Sequence, residues 1–278
     1  MISNQPRRVA YYGGSFDPVH VGHIKIARTL LKVFELDAFH FVPAWHAPHK
    51  RESSPSSPYH RFAMLTAATA SYRSLFVSTI ELDDPERPYT IDTISKVRSV
   101  HRDDDIFFVI GADSWEEITT WRSWEEVLTK VNIIVVTRPG YEIEFDHVTD
   151  SILERIVDLR GRESDVRRQE PDCEPGTPAT SNSESEPGAQ ATGNSESEPG
   201  AQATGNTESE PGAQATGKAE GRTTSRPRIF LTDSVYVDVS ATKIRKGVRT
   251  GQEGWKSQVP SEVSGYIEKY RLYTPSGS

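Results

Sequence analysis

The sequence predicts an α/β fold: a Rossmann-like, doubly wound parallel sheet with helices on both faces. Short apolar runs of strand length alternate along the chain with longer segments whose apolar residues recur at three- and four-residue steps. That alternation is the signature of βαβ units, which join parallel strands through right-handed crossovers. A glycine pair also stands between the first strand and the first helix, where such sheets meet anions.

The first unit says most. Val9–Tyr12 is a short apolar strand, and Ile24, Ala27, Leu31 and Phe34 lay one apolar stripe along the following helix. Between them lies GGSFDPVHVGH, Gly13 to His23. Gly13 and Gly14 let a ligand approach the backbone, and Pro18 stiffens the turn. His20 and His23 flank Gly22, so both imidazoles can face one phosphate while Gly22 leaves it room. A His-x-x-His pair alone is common on surfaces and in cores. The conjunction of strand, Gly-Gly, Phe-Asp-Pro, paired histidines and amphipathic helix marks a site that stabilises phosphoryl charge. No Gly-Lys-Ser/Thr follows, so this is not a Walker loop, nor is it the Gly-x-Gly-x-x-Gly dinucleotide fingerprint.

Ala38–Val42 reads as the second strand, ended by Pro43 and a loop carrying His46, His49, Lys50 and Arg51. Such a loop is either a solvated basic patch or a phosphate contact, for which Lys50 is the candidate. Tyr59–Tyr72 has helical spacing, and Leu75–Leu82 alternates as a strand. Thr90 is placed to cap a helix over Ile91–Val100, with Asp92 in the first turn matching the helix dipole. With Tyr89 beside it, this helix start offers backbone N–H groups to a carboxylate. Asp105–Gly111 is a continuous apolar strand, and Asp113 beyond it either holds ribose hydroxyls or caps the next helix. Trp115, Trp121 and Trp124 cluster as packing residues do. Trp121 is the one favoured to stack on a ligand ring, a contact worth roughly 0.5–1.5 kcal/mol beyond burial. Val131–Val136 is another strand, stopped by Arg138-Pro139-Gly140.

From Glu163 the composition changes. SESEPGAQATGN (Ser183–Asn194) repeats at Ser195–Asn206 and returns as TESEPGAQATGK at Thr207–Lys218. Each unit lacks aromatics and any aliphatic larger than Ala, so stacked copies would bury no core, and residues 163–227 read as a disordered acidic insert. Between Glu163 and Arg222 stand twelve Asp or Glu and four Lys or Arg, which accounts for the whole formal charge of −8. The remainder is balanced, so net charge says nothing about partners of the folded part. The only cysteine, Cys173, lies in this tract and excludes a disulfide framework. MISNQPRR has no signal-peptide core and no stretch is long enough to span a bilayer, which points to a cytoplasmic protein. The expected organisation is a domain over 7–160 completed by 228–274. After Ile229, Val235–Val239 reads as a strand, and Ser240 or Thr242 caps a short basic helix. Its N–H groups and hydroxyls suit a triphosphate, with Arg245 adding charge and Lys243 and Lys246 also placed to face solvent. A last helix begins at Pro260 or Ser261, followed by a Tyr-rich end.

The Gly13–His23 stretch resembles the G-x-F-D-P-x-H-x-G-H signature of nucleotidyltransferases that join a nucleoside monophosphate to a phosphorylated partner. The PHK loop, PYTIDTI, GAD with its following TW, and TRPG resemble the successive motifs of bacterial nicotinate-nucleotide adenylyltransferases. The likeness runs over Arg8–Gly140 and again over Ile229–Tyr273. The chain departs from that pattern in its repeats and at Ala241, where I-S-S-T-x-I-R carries a hydroxyl. The resemblance implies transfer of AMP from ATP to nicotinate mononucleotide with release of pyrophosphate, Mg²⁺ carried with ATP, no dedicated metal site, and no nucleic-acid or membrane partner. It implies catalytic roles for His20, His23, Lys50 and Arg245. ATP would be held by Gly13, Gly14, Ser15, Phe16, His20, Gly22, His23, Gly111, Asp113, Ser240, Thr242 and Arg245. Nicotinate mononucleotide would be held by Ser15, Phe16, Lys50, Tyr89, Thr90, Trp121 and Arg138. Alternatives are a related adenylyltransferase using nicotinamide mononucleotide or phosphopantetheine, or a catalytically silent nucleotide-binding regulator. An aminoacyl-tRNA synthetase shares the His-x-Gly-His turn, but no KMSKS-like stretch is present.

Overall fold

A computed structural model describes residues 5–45, 56–84, 88–161, 226–235 and 237–275. The strands are β1 (Arg8–Gly14), β2 (Ala38–Pro43), β3 (Leu75–Val77), β4 (Asp105–Gly111), β5 (Asn132–Val136), β6 (Ile156–Asp158) and β7 (Ile229–Thr232). They form one sheet in the order β3-β2-β1-β4-β5-β7-β6, and every pairing is parallel. Central strands of such a sheet are covered on both faces and so read as unbroken apolar runs. Ile106 to Ile110 in β4 and Ile133 to Val135 in β5 are all buried accordingly.

Alternate residues of β1 and β4 feed two cores. Val9, Tyr11, Ile106, Phe108 and Ile110 pack with α3 (Thr90–Val100), α4 (Ala112–Glu116) and α5 (Trp124–Lys130). Ala10, Phe107 and Val109 pack with α1 (Val21–Val33), α2 (Pro58–Thr69), α7 (Ala241–Thr250) and α8 (Ser261–Lys269). Helices therefore cover both faces, as the doubly wound pattern requires. Strand order reverses between β1 and β4, and in open α/β sheets the crevice at the carboxyl ends of the diverging strands takes the ligand.

Several local expectations need correction. Leu75–Leu82 is a strand only to Val77. Ser78 makes one more bond, N–H to the Phe41 carbonyl, and the chain then turns, with Leu82 and Asp83 N–H groups on the Thr79 carbonyl. The expected strand over Val235–Val239 does not form at its described residues, Val235 and Val237–Val239; Ile229–Thr232 is the strand, lying between β5 and β6 with Ile229 and Leu231 fully buried. The short α6 (Asp150–Leu153) and β6 lie where no element is expected. Thr90 is the first residue of α3, not its cap. Tyr89 holds the cap position, and its N–H donates to the Asp92 carboxylate at 3.0 Å. Among the described residues no helix is long and apolar enough to cross a membrane. His46, His49, Lys50, Arg51, Cys173 and the repeats lie outside the described residues.

Candidate active site

The turn from Gly13 to His23 leaves β1 at the sheet's reversal point and runs into α1, whose N-cap is His20 in extended conformation. His20 N–H donates to His23 Nδ1 at 3.2 Å, and the two imidazoles stack with centroids 3.7 Å apart. This bond makes Nδ1 of His23 the acceptor, so a neutral His23 carries its proton on Nε2 and presents a donor there. Phe16 meets the His23 ring edge-on at 5.0 Å and holds it from another side.

The glycines serve this packing. A Cβ on Gly14 would lie 2.9 Å from the Phe16 ring, and one on Gly13 would lie 3.3 Å from Phe108. A Cβ on Gly22 would come within 3.0 Å of His20 Nδ1 and 3.2 Å of Val237. The room at Gly22 expected for a phosphate is thus taken by the His20 imidazole and by Val237.

His20 is 8% exposed, and burial lowers its pKa from 6.5 to about 4. Its Nδ1 is enclosed and has no hydrogen-bond partner among the described residues. As pH falls, the unfolded chain takes up the proton first, so stability is full above pH 6.5 and declines toward 4. Through this group the unfolding free energy should fall by about 2 kcal/mol between pH 7 and 5. The check is the difference in pH slope of urea unfolding between wild type and His20→Asn; equal slopes would contradict it.

Arg245 comes to this turn from α7. Its Nη1 donates to the Asp17 carbonyl at 2.6 Å and lies 3.9 Å from the Asp17 carboxylate, while Nη2 donates to Thr242 Oγ1 at 3.2 Å. Arg245, Thr242, Ser15, Phe16, His20 and His23 are therefore gathered at one place. Ser240 is the N-cap residue of α7, but its side chain makes no capping bond. Gly111 is the N-cap residue of α4 and Asp113 lies exposed in its first turn, so Asp113 is not the cap.

Tyr89 and Thr90 begin α3, and Trp121 is half-buried against the core on that face. The Arg122 guanidinium sits 4.9 Å over the Tyr89 ring, which brings the α3 start and the Trp121 loop together. Trp115 is wholly buried packing. Arg138 is exposed and lines a cavity of about 670 Å³ with Asp158, Arg160 and Asp233; among the described residues nothing ties it to the His20–His23 turn.

Three residues with no assigned role prove central. Asp17, 5% exposed, accepts the Tyr273 hydroxyl at 2.7 Å and the Ser56 N–H at 3.3 Å. Arg61, 1% exposed, reaches the same turn through the Ser15 carbonyl. Asp17 lies within the recognised motif, whereas Arg61 and Tyr273 carry no sequence signal beyond a helix and a Tyr-rich end.

Comparison with known proteins agrees with this geometry. Residues 11–247 match the family described as Cytidylyltransferase-like. A protein of Mycolicibacterium vanbaalenii named "Probable nicotinate-nucleotide adenylyltransferase" is 36% identical over 53% of this chain and 69% of its own length. One of the same name from Corynebacterium jeikeium is 36% identical over 48% of this chain and 67% of its own. The fold is shared with the Plasmodium falciparum nicotinic acid mononucleotide adenylyltransferase complexed with NaAD. The TM-score is 0.58 at 15% identity, over 96% of this chain and 97% of that one. With its paired histidines at the sheet's reversal point and relatives of this kind, the chain belongs to the cytidylyltransferase-like family, in the branch of the bacterial nicotinate-nucleotide adenylyltransferases.

Proposed function

We propose that the protein transfers AMP from ATP to nicotinate mononucleotide. The 5′-phosphate oxygen of the mononucleotide attacks the α-phosphorus of ATP, a new P–O–P bond forms, and the bond to the bridging oxygen breaks to release pyrophosphate. The observation that carries this reading is the meeting of Arg245 with the backbone of the turn that holds the stacked His20–His23 pair. A phosphate monoester is already an anion at neutral pH, so the step needs no strong base. Catalysis then consists of positioning and stabilising charge.

In this reading His23 Nε2–H donates to phosphate oxygens, Arg245 neutralises the leaving pyrophosphate, and the first N–H groups of α1 face the same charge. Lys50 is assigned to the incoming phosphates. Gly111, Asp113, Ser240 and Thr242 belong to the ATP side. Tyr89, Thr90 and Trp121 belong to the mononucleotide side, where α3 offers N–H groups to the nicotinate carboxylate and Trp121 a stacking face. Arg138 is kept on that side on the resemblance alone. Mg²⁺ arrives with ATP as part of that substrate. Residues 7–160 and 228–274 make one catalytic domain interrupted by the 163–227 tract.

The test is pyrophosphate release from ATP with nicotinate mononucleotide, nicotinamide mononucleotide and phosphopantetheine in parallel. Turnover should be fastest with the nicotinate. Release with phosphopantetheine alone, or with none of the three, would overturn the reading.

A further inference from the structure

We propose that Arg61 is a positioning residue, whose buried guanidinium aims the Phe16 amide at the phosphates of the bound nucleotide. The inference rests on the adenylyltransferase reading for the turn's occupant, but not on the identity of the acceptor. Arg61 projects from α2 into the protein. Its Nη1 donates to the Ser15 carbonyl at 2.7 Å, its Nη2 to the Ala44 carbonyl at 2.6 Å, and its Nε to the Ser56 carbonyl at 3.0 Å. One planar fork thus ties the phosphate turn to the chain leaving β2 and to the segment entering α2. Burial pushes the guanidinium's pKa down, and the Asp17 carboxylate pushes back. Its direct partners here are carbonyls, so each bond fixes the direction of a peptide plane.

The Ser15–Phe16 plane is the one that matters. In a planar trans peptide the C=O and N–H point to opposite sides. Holding the Ser15 carbonyl on Arg61 therefore leaves the Phe16 N–H on the opposite face of the turn. Phe16 has φ of 46°, a left-handed conformation that a residue with a side chain rarely keeps without support. The Phe16 ring, 2% exposed and set against Gly14 and His23, holds the residue from one side while Arg61 holds it from the other. Backbone strain maintained from two sides at a ligand site is characteristic of pre-organisation. A lysine at 61 would keep the buried charge, yet its single ammonium cannot reproduce the fork across these carbonyls.

The experiment follows the Phe16 amide by NMR in ¹⁵N-labelled full-length protein as Mg²⁺-pyrophosphate is added, for wild type and Arg61→Lys, with thermal midpoints read alongside. In wild type the Phe16 resonance should shift and saturate. In folded Arg61→Lys, pyrophosphate should bind at least about tenfold more weakly and the Phe16 shift should be lost. If Arg61→Lys does not fold, Arg61→Gln, which can still reach one or two of the carbonyls, takes its place. A wild-type Phe16 amide that ignores pyrophosphate, or a folded variant with wild-type affinity, overturns the proposal. A wild type that binds pyrophosphate through Phe16 yet releases none with nicotinate mononucleotide would sink the acceptor assignment and leave the positioning role standing.

Discussion

His23→Ala is expected to lower turnover about 10²–10³-fold, or ~2.7–4 kcal/mol of activation free energy, without unfolding the protein. The size follows from what the ring does. Its Nδ1 is occupied by the His20 N–H, which leaves Nε2–H as the donor for phosphate oxygen. The ring is held by stacking on His20 at 3.7 Å and by the Phe16 edge at 5.0 Å, so little reorganisation is needed when charge develops. The structural cost is modest, because His23 is only partly buried and its bond from the His20 N–H is worth about 1 kcal/mol. Steady-state pyrophosphate release, with circular dichroism to verify folding, measures the effect. Turnover within a few-fold of wild type would remove His23 from the chemistry.

Asp17→Asn should have the largest effect on stability, about 3–5 kcal/mol at pH 7, read by urea unfolding. Asp17 is nearly inaccessible and serves three parts of the chain at once. Its carboxylate accepts from Tyr273 at 2.7 Å and from the Ser56 backbone at 3.3 Å, with the Arg245 guanidinium at 3.9 Å. An amide keeps the shape but removes the charge facing the half-buried Arg245 guanidinium, which is the costly way to break such a pair. Tyr273→Phe, which deletes one hydrogen bond to the same carboxylate, should cost less, about 1.5–3 kcal/mol. A neutral Asp17→Asn would mean that Arg245 draws its compensation from elsewhere.

Much of this was legible in the sequence because the information is local. Ile106–Ile110 is apolar throughout because both faces of a central strand are covered, and α1 buries Ile24, Ala27 and Phe34 of its expected stripe, with Leu30 fully buried in place of the half-buried Leu31. The paired histidines were legible because the turn and the helix start that carry them are contiguous. What could not be read depends on distant chain. VYVDV alternates more cleanly than IFLT, but a strand flanked on both edges and both faces favours the unbroken run, so Ile229–Thr232 is the strand. Gly22 looked like space for a ligand, yet its neighbour Val237 comes from beyond the repeats. A single arginine in an amphipathic helix normally faces solvent, and nothing near Arg61 in sequence reveals that its partners are the carbonyls of Ser15, Ala44 and Ser56.

The claim on which the rest depends is that the imidazole pair and Arg245 act on one triphosphate. A crystal structure with a non-hydrolysable ATP analogue and Mg²⁺ tests it most directly. It should show phosphate oxygens within hydrogen-bond distance of both His23 Nε2 and the Arg245 guanidinium. A triphosphate bound away from the Gly13–His23 turn, or touching one of these groups while the other stays out of reach, would contradict it.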